Sequence, residues 1–313
     1  MNAIVPQSAI VDATFRANHV GAGEVSALFG CSPWLTEFEL WHRKVGNIAT
    51  PEFNAVADNG TPENERVYWG VRLEAAIIEA AKERYGYVDR PPADPPLTNG
   101  KGLGGHPDRR VICPERGPGI IETKMADWLV RKGWGDEPPM NYLLQGNTYA
   151  GLDGVAWFDT LVLVGGNKME RFCNDFRPKL YAEAERRVEA FWRSIADNSP
   201  PKPDYTRDGG AIAELFADAG DTLIDLRGDN LAMVAAAEWV NAKAEVKAAQ
   251  TRVDAAQAEL FEKLGDNGVG LLDGFTIKAT PVAASPDREA KPGEIIKGRR
   301  GYRRFNVKEK ETK

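Results

Sequence analysis

Histidine and cysteine are scarce, three of each in 313 residues. His19, His42 and His106 stand far apart, without the paired spacing of a zinc site. Cys31, Cys113 and Cys173 are odd in number and widely separated. They support neither a disulfide framework nor a four-cysteine iron–sulfur cluster, and they suit a reducing cytoplasm. No run of about 18 apolar residues occurs, so no transmembrane helix is expected. The first residues, MNAIVPQSAIVDATF, lack a basic region followed by a long apolar core, so no secretory signal is expected. The Gly-rich stretches GKGLGG and VGGNK lack the G-x-x-x-x-G-K-[ST] pattern, which excludes a P-loop reading and gives no indication of ATP use.

What is present is a chain with 42% apolar residues, enough for a packed core, and a net charge of −6. The charge is uneven. Residues 288–313 hold ten Lys or Arg against four Glu, a net of +6, which leaves −12 for the rest. A basic end can grip DNA backbone while carboxylates in the acidic body hold metal.

Residues 20–46 open on a Gly-rich turn and carry two helical patches, Val25/Leu28/Phe29 and, past the Ser32-Pro33 break, Phe38/Leu40/Trp41. The clearest amphipathic helix spans 63–86, with Gly86 as its C-cap. Strands are predicted at about 103–113 and 119–125, joined by the turn PERGPG. A helix at 141–154, a strand pair at 155–166 and 168–176, and a helix at 179–197 follow. Residues 228–264 place apolar groups at roughly heptad spacing, as in a helical hairpin arm or short coiled coil. A small hairpin and the basic tail close the chain. The predicted division is 1–204 and 205–313.

The chemistry concentrates at HPDRRVICPERGPGIIETKMADW, residues 106–128. Strand side chains alternate between faces, so Glu122 and Lys124 project together, while the Thr123 backbone carbonyl stays available to a metal. A hairpin partner places Asp108 beside Glu122. Two carboxylates and a carbonyl make a hard oxygen site for Mg²⁺ or Mn²⁺. Lys124 then orients or deprotonates an attacking water, or stabilises the pentavalent phosphate. The plain alternative is a hairpin with charges on its wet face. Ile120 and Ile121 weigh against it, because charges in a partly buried strand need a partner. Glu74 lies on the 63–86 helix, either on a solvated face or lining the metal cleft. Gln145 follows Tyr142 by three residues on one helix side, either a surface amide or a group that positions water or Lys124.

Asp108…Glu122-Thr123-Lys124 resembles the D…(D/E)-x-K core of the PD-(D/E)XK nuclease superfamily. With its flanks VGAGEVSALFGCSPWLTEFELWHRKVG, WGVRLEAAIIE, HPDRRV, GIIETKMADW and YLLQGNTYAG in that order, residues 15–195 resemble the YqaJ-like viral recombinase family, which includes lambda-type phage exonucleases. The resemblance implies an α/β fold, a PD-(D/E)XK nuclease core with a small mixed sheet flanked by helices, followed by the helical arm and basic tail. It implies a Mg²⁺-dependent 5′→3′ exonuclease on double-stranded DNA ends that leaves 3′ overhangs for phage recombination in the bacterial cytoplasm. Asp108, Glu122 and the Thr123 carbonyl become metal ligands and Lys124 the catalytic lysine, with Glu74 and Gln145 in support. A single-strand annealing protein becomes the natural partner, and a trimer the expected homo-oligomer.

By the same resemblance Arg16 helps bind the terminal 5′-phosphate. Two positions depart from the pattern. Gly23 stands where lambda-type enzymes carry Ser, and Arg109 follows the active-site Asp where a Gly is common. Backbone N–H groups of the Gly21–Gly23 turn, at a helix start, are candidates to replace the hydroxyl. Ser32, Trp34, Trp128, Arg131 and Tyr142 are further candidate DNA contacts. Trp34 either wedges at a terminal base pair or packs the N-terminal helices. Trp128 and Arg131 either meet the nucleic acid or cover the sheet edge. The rival functions are a structure-specific or restriction-like endonuclease and a non-catalytic DNA-end-binding factor.

Overall fold

A computed structural model describes residues 14–51, 64–218 and 220–279. After a helical turn at 14–18 come β1 (Val20–Gly21), α1 (Val25–Leu28), α2 (Glu37–Lys44), α3 (Glu65–Tyr85), β2 (Val88–Asp89), β3 (Leu97–Thr98), β4 (Leu103–Gly105), β5 (Arg109–Cys113) and β6 (Gly117–Ala126). Then follow α4 (Trp128–Lys132), α5 (Met140–Asp153), β7 (Trp157–Val164), β8 (Lys168–Asp175), α6 (Pro178–Ala196) and α7 (Gly209–Leu215). A second unit holds α8 (Asn230–Leu264), β9 (Val269–Leu272) and β10 (Phe275–Lys278).

The first unit is α/β, with a five-stranded mixed sheet in the order β2-β5-β6-β7-β8. Within this sheet only β6 and β7 run parallel, and such a pair needs a crossover, which α4 and α5 supply. Both faces of β6 are covered, so its middle reads as an unbroken buried run. On one face Ile120 and Phe158 pack with Leu143, Tyr149 and Ala150 of α5. Gly146 lets α5 approach: a Cβ there would stand 2.2 Å from the Phe158 ring. On the other face Ile121, Trp157 and Leu161 pack with Ile77 and Ala81 of α3. The helix α3 ends as its sequence predicts, with Gly86 at φ 69° and its N–H bonded to the Lys82 carbonyl. A separate cluster joins Val25, Leu40 and Trp41 to Leu144, Val188 and Phe191, seating the N-terminal helices on α5 and α6.

Three expectations change. The strand expected over 103–113 is two strands in two sheets, because Gly105 turns the chain at φ 152° and Pro107 has no N–H for a ladder. Residues 228–264 contain no helical hairpin: α8 is one continuous helix, with no Gly or Pro between Asp229, its N-cap, and Gly265. The chain divides after Leu215 rather than near 204. Ala211, Ile212 and Leu215 pack with Phe38 and Ile48, and Thr36 donates to the buried Asp208 at 2.5 Å. The small hairpin is β9 paired antiparallel to β10. The basic tail, 288–313, lies outside the described residues. Among the described residues no helix is long and apolar enough to cross a membrane.

Candidate active site

The register of β5 and β6 pairs Arg109 with Ile121, so Asp108, just ahead of β5, lies opposite Glu122. The Asp108 N–H donates to Glu122 Oε1 at 3.3 Å. Asp108 Oδ2 accepts from the Thr123 N–H at 2.7 Å and from its hydroxyl at 2.8 Å. Lys124 Nζ donates to Glu122 Oε2 at 3.3 Å. The acid, acid and lysine separated in sequence are thus one cluster at the end of the central strand.

Its electrostatics are strained. Glu122 is 1% exposed, and burial, followed by the neighbouring Asp108 carboxylate, pushes its pKa up to about 8 against the pull of Lys124. Burial works against the charge on Lys124, but Glu122 and Asp108 together outweigh it and hold the ammonium above its ordinary value. Glu74 reaches the cluster from α3. Its carboxyl is pushed up to about 6 by burial first and Asp108 second, with Arg109 and Lys124 opposing.

From α5, Tyr142 lies under Lys124, whose Nζ is 5.4 Å from the ring centroid. Gln145 borders the Gly23 turn: a Cβ on Gly23 would stand 3.8 Å from Gln145 Nε2. Tyr149, one more turn along, is buried, and its hydroxyl pKa is raised well above the usual value by burial, then by Glu122 and Asp108. Arg16, exposed on the 14–18 turn, acts on the same hydroxyl in the opposite sense. Tyr149 went unnoticed in the sequence, though its helical spacing from Tyr142 and Gln145 is the signal that finds it. Trp134 was also missed; it lies 5.6 Å from the Tyr142 ring.

The candidate DNA contacts divide. Trp34 is 66% exposed and 6.3 Å from the Tyr142 ring, so it stands at the open side of the cluster rather than packing the N-terminal helices. Ser32 is buried: its hydroxyl accepts from the Leu35 N–H at 3.1 Å, and its carbonyl accepts from Arg207, so it shapes a turn rather than offering a DNA contact. Arg131 is held by Glu170 at 2.5 Å and by the Trp134 carbonyl, with its guanidinium 5.0 Å over Phe172. Trp128 lies against Gly165 in the β7–β8 turn and is 46% exposed. The idea that Gly21–Gly23 amides bind an anion meets a conflict, since the Gly21 N–H already donates to the Glu24 carboxylate at 2.8 Å.

A second charged group was not anticipated. On the opposite sheet face Asp159 is fully buried, accepts from both terminal nitrogens of Arg116, and accepts from the Tyr87 hydroxyl at 2.5 Å. Arg116 also covers the Trp157 ring at 3.9 Å. This network ties the β5–β6 turn to β7 and so fixes the register that brings Asp108 to Glu122.

Among the described residues no three His, Cys, Asp or Glu side chains converge as a metal cage. The donors are two carboxylates, each with oxygen lone pairs left over after the hydrogen bonds above. That set matches an ion which keeps several waters and takes one or two carboxylates, as Mg²⁺ does, and is a poor match for a zinc site or an all-protein calcium cage.

Residues 13–154 match the model of the YqaJ-like viral recombinase domain. The uncharacterized protein YqaJ of Bacillus subtilis (strain 168) is 24% identical over 325 residues, covering 94% of this chain and 92% of the relative. An alkaline exonuclease, LHK-Exo, from Laribacter hongkongensis is 18% identical with a TM-score of 0.43, over 64% of this chain and 98% of that one. The structure of SSO0001 is 10% identical with a TM-score of 0.37, over 70% of this chain and 99% of that one. The likeness to the YqaJ-like viral recombinase domain thus covers residues 13–154, a little under half of the chain.

Proposed function

We propose that the chain is a Mg²⁺-dependent deoxyribonuclease that degrades double-stranded DNA from its ends, 5′→3′, and leaves 3′ single strands for recombination. The observation that supports this best is the Asp108–Glu122–Lys124 cluster with Glu122 buried at its centre. A carboxylate pushed up to about 8 at 1% exposure is costly to hold for structure alone, whereas a divalent ion would favour its ionised form.

Asp108 and Glu122 would hold the ion, with the Thr123 carbonyl as a third ligand. When bound, the ion supplies Lewis-acid polarisation of the scissile phosphate and neutralises charge on the leaving oxygen. The Asp108 N–H and the Thr123 N–H and hydroxyl fix the two carboxylates in place. Lys124 keeps its proton and presents an ammonium beside Glu122, so it serves to orient water and to stabilise charge growing on the phosphate. Glu74, near about 6, is poised to exchange a proton close to neutral pH. Trp34 and Tyr142 line the open side, where an aromatic face can stack on a base. A protein acting on DNA in this way would work in the bacterial cytoplasm, where a single-strand annealing protein would take the exposed 3′ strand and a ring-shaped trimer would keep hold of the duplex.

The test is Mg²⁺-dependent release of nucleotides from a linear duplex. Wild type is expected to cut and Lys124→Ala to lose cleavage while still binding DNA. Wild-type rates in Lys124→Ala overturn the assignment.

A further inference from the structure

Thr160, in the middle of β7, is fully buried, and its hydroxyl has no hydrogen-bond partner among the described residues. An unpaired buried hydroxyl costs about 1–3 kcal/mol, which a valine of nearly the same shape would avoid. Such a group in a native core calls for a reason. The sheet register supplies one. Thr160 is paired directly with Glu122 on β6 and with Phe172 on β8. Residues so paired point to one face, here the face that α5 covers, where Phe158 packs. Along that row of β7 the neighbours are Phe158, Val162 and Val164, all apolar and buried. Of the two side chains directly opposite Thr160, only Glu122 can accept a hydrogen bond. The bonds Glu122 accepts from the Asp108 N–H and from Lys124 are both 3.3 Å, long for contacts to a charged group. They come from the β5 side and from β6 itself, and Thr160 occupies the flank toward β7.

We propose, on the footing that Asp108 and Glu122 hold the divalent ion as proposed above, that Thr160 is a positioning residue whose hydroxyl donates to the Glu122 carboxylate, directly or through one buried water. A carboxylate has about four lone-pair sites, so Glu122 can accept from Thr160 and keep lone pairs for a metal. Groups that hydrogen-bond a metal ligand fix its orientation, and losing one weakens metal affinity about tenfold or more. A water between the two side chains would serve nearly as well as a direct bond, because both groups are polar and closed off from solvent. Thr160 touches neither substrate nor ion in this arrangement and acts only through Glu122. Asp108 is held in the same way by the Thr123 N–H and hydroxyl, so each carboxylate has a threonine hydroxyl behind it.

The test is the rise in Tm of the full chain with Mg²⁺ concentration, which reads metal binding without turnover. Thr160→Val is expected to need about tenfold more Mg²⁺ for the same rise. Its Tm in chelator is expected to be no lower than that of wild type, because the hydroxyl holds nothing else in the fold. Thr160→Ser keeps the hydroxyl and is expected to return the Mg²⁺ requirement to within about threefold of wild type. A Thr160→Val variant that responds at wild-type Mg²⁺ concentrations overturns the proposal and leaves the metal site standing. A Thr160→Val variant that melts several degrees below wild type in chelator, or a Thr160→Ser variant no better than Thr160→Val, makes the residue structural and overturns it too. A wild type whose Tm ignores Mg²⁺ overturns the metal site itself, and the role of Thr160 with it.

Discussion

Removing divalent metal and raising the pH should destabilise the nuclease unit through Glu122. Its carboxyl moves from an ordinary 4.5 to about 8 on folding. Between those values the folded protein binds a proton that the unfolded chain has released, so stability falls as pH rises. At about 1.4 kcal/mol per unit, the loss across the interval is on the order of 3–5 kcal/mol. For a unit of this size that corresponds to a fall in Tm of roughly 10 °C. Glu74, pushed up to about 6, contributes in the same direction over the lower part of the range. The assay is thermal unfolding in a chelator from pH 5 to 8.5, followed by tryptophan fluorescence, since Trp41 and Trp157 are buried in the unit that unfolds. Glu122→Gln should flatten most of the slope. Adding Mg²⁺ at pH 8 should restore stability by mass action, because the ion binds the ionised form. A Tm that is level or rising between pH 5 and 8 in chelator, or an unchanged slope in Glu122→Gln, refutes the reasoning.

Other outcomes follow from the same geometry. Asp108→Asn should raise the Mg²⁺ concentration needed for cleavage and cut turnover at least a hundredfold, measured by titrating the metal; full activity at low Mg²⁺ contradicts a ligand role. Asp159→Ala should cost about 3–5 kcal/mol in urea unfolding, because it leaves Arg116 charged against Trp157 without its carboxylate; a change under about 1 kcal/mol shows the pair to be dispensable. Gly23→Ser should fold normally, since the nearest atoms to its Cβ lie 3.8 Å away. It should increase the preference for a 5′-phosphorylated end, read as the ratio of rates on phosphorylated and unphosphorylated duplexes; an unchanged ratio separates Gly23 from the phosphate.

Much of the site could be read from sequence because it rests on short-range periodicity. Two-residue alternation places Glu122 with Lys124, and one hairpin register brings Asp108 across. The helix α3 was legible from its apolar spacing and from Gly86. What escaped depends on contacts between elements. Asp108 lies between strands rather than inside one, because Gly105 and Pro107 break the ladder first. Ser32 and Arg131 carry the residue types of a DNA contact, yet Leu35 and Glu170 already engage them. Asp159 offered a signal that was passed over, a lone acid in the apolar run VAWFDTLVLV, but its partner Arg116 lies in a distant turn. The continuity of α8 was also on view, since nothing in 230–264 breaks a helix.

The most direct measurement is a Mg²⁺-supported digestion of linear duplexes labelled at the 5′ or the 3′ end, beside a covalently closed circle. Early release of the 5′ label with the circle intact is the predicted result. Cleavage of the circle, or no cleavage with any divalent metal, contradicts the account.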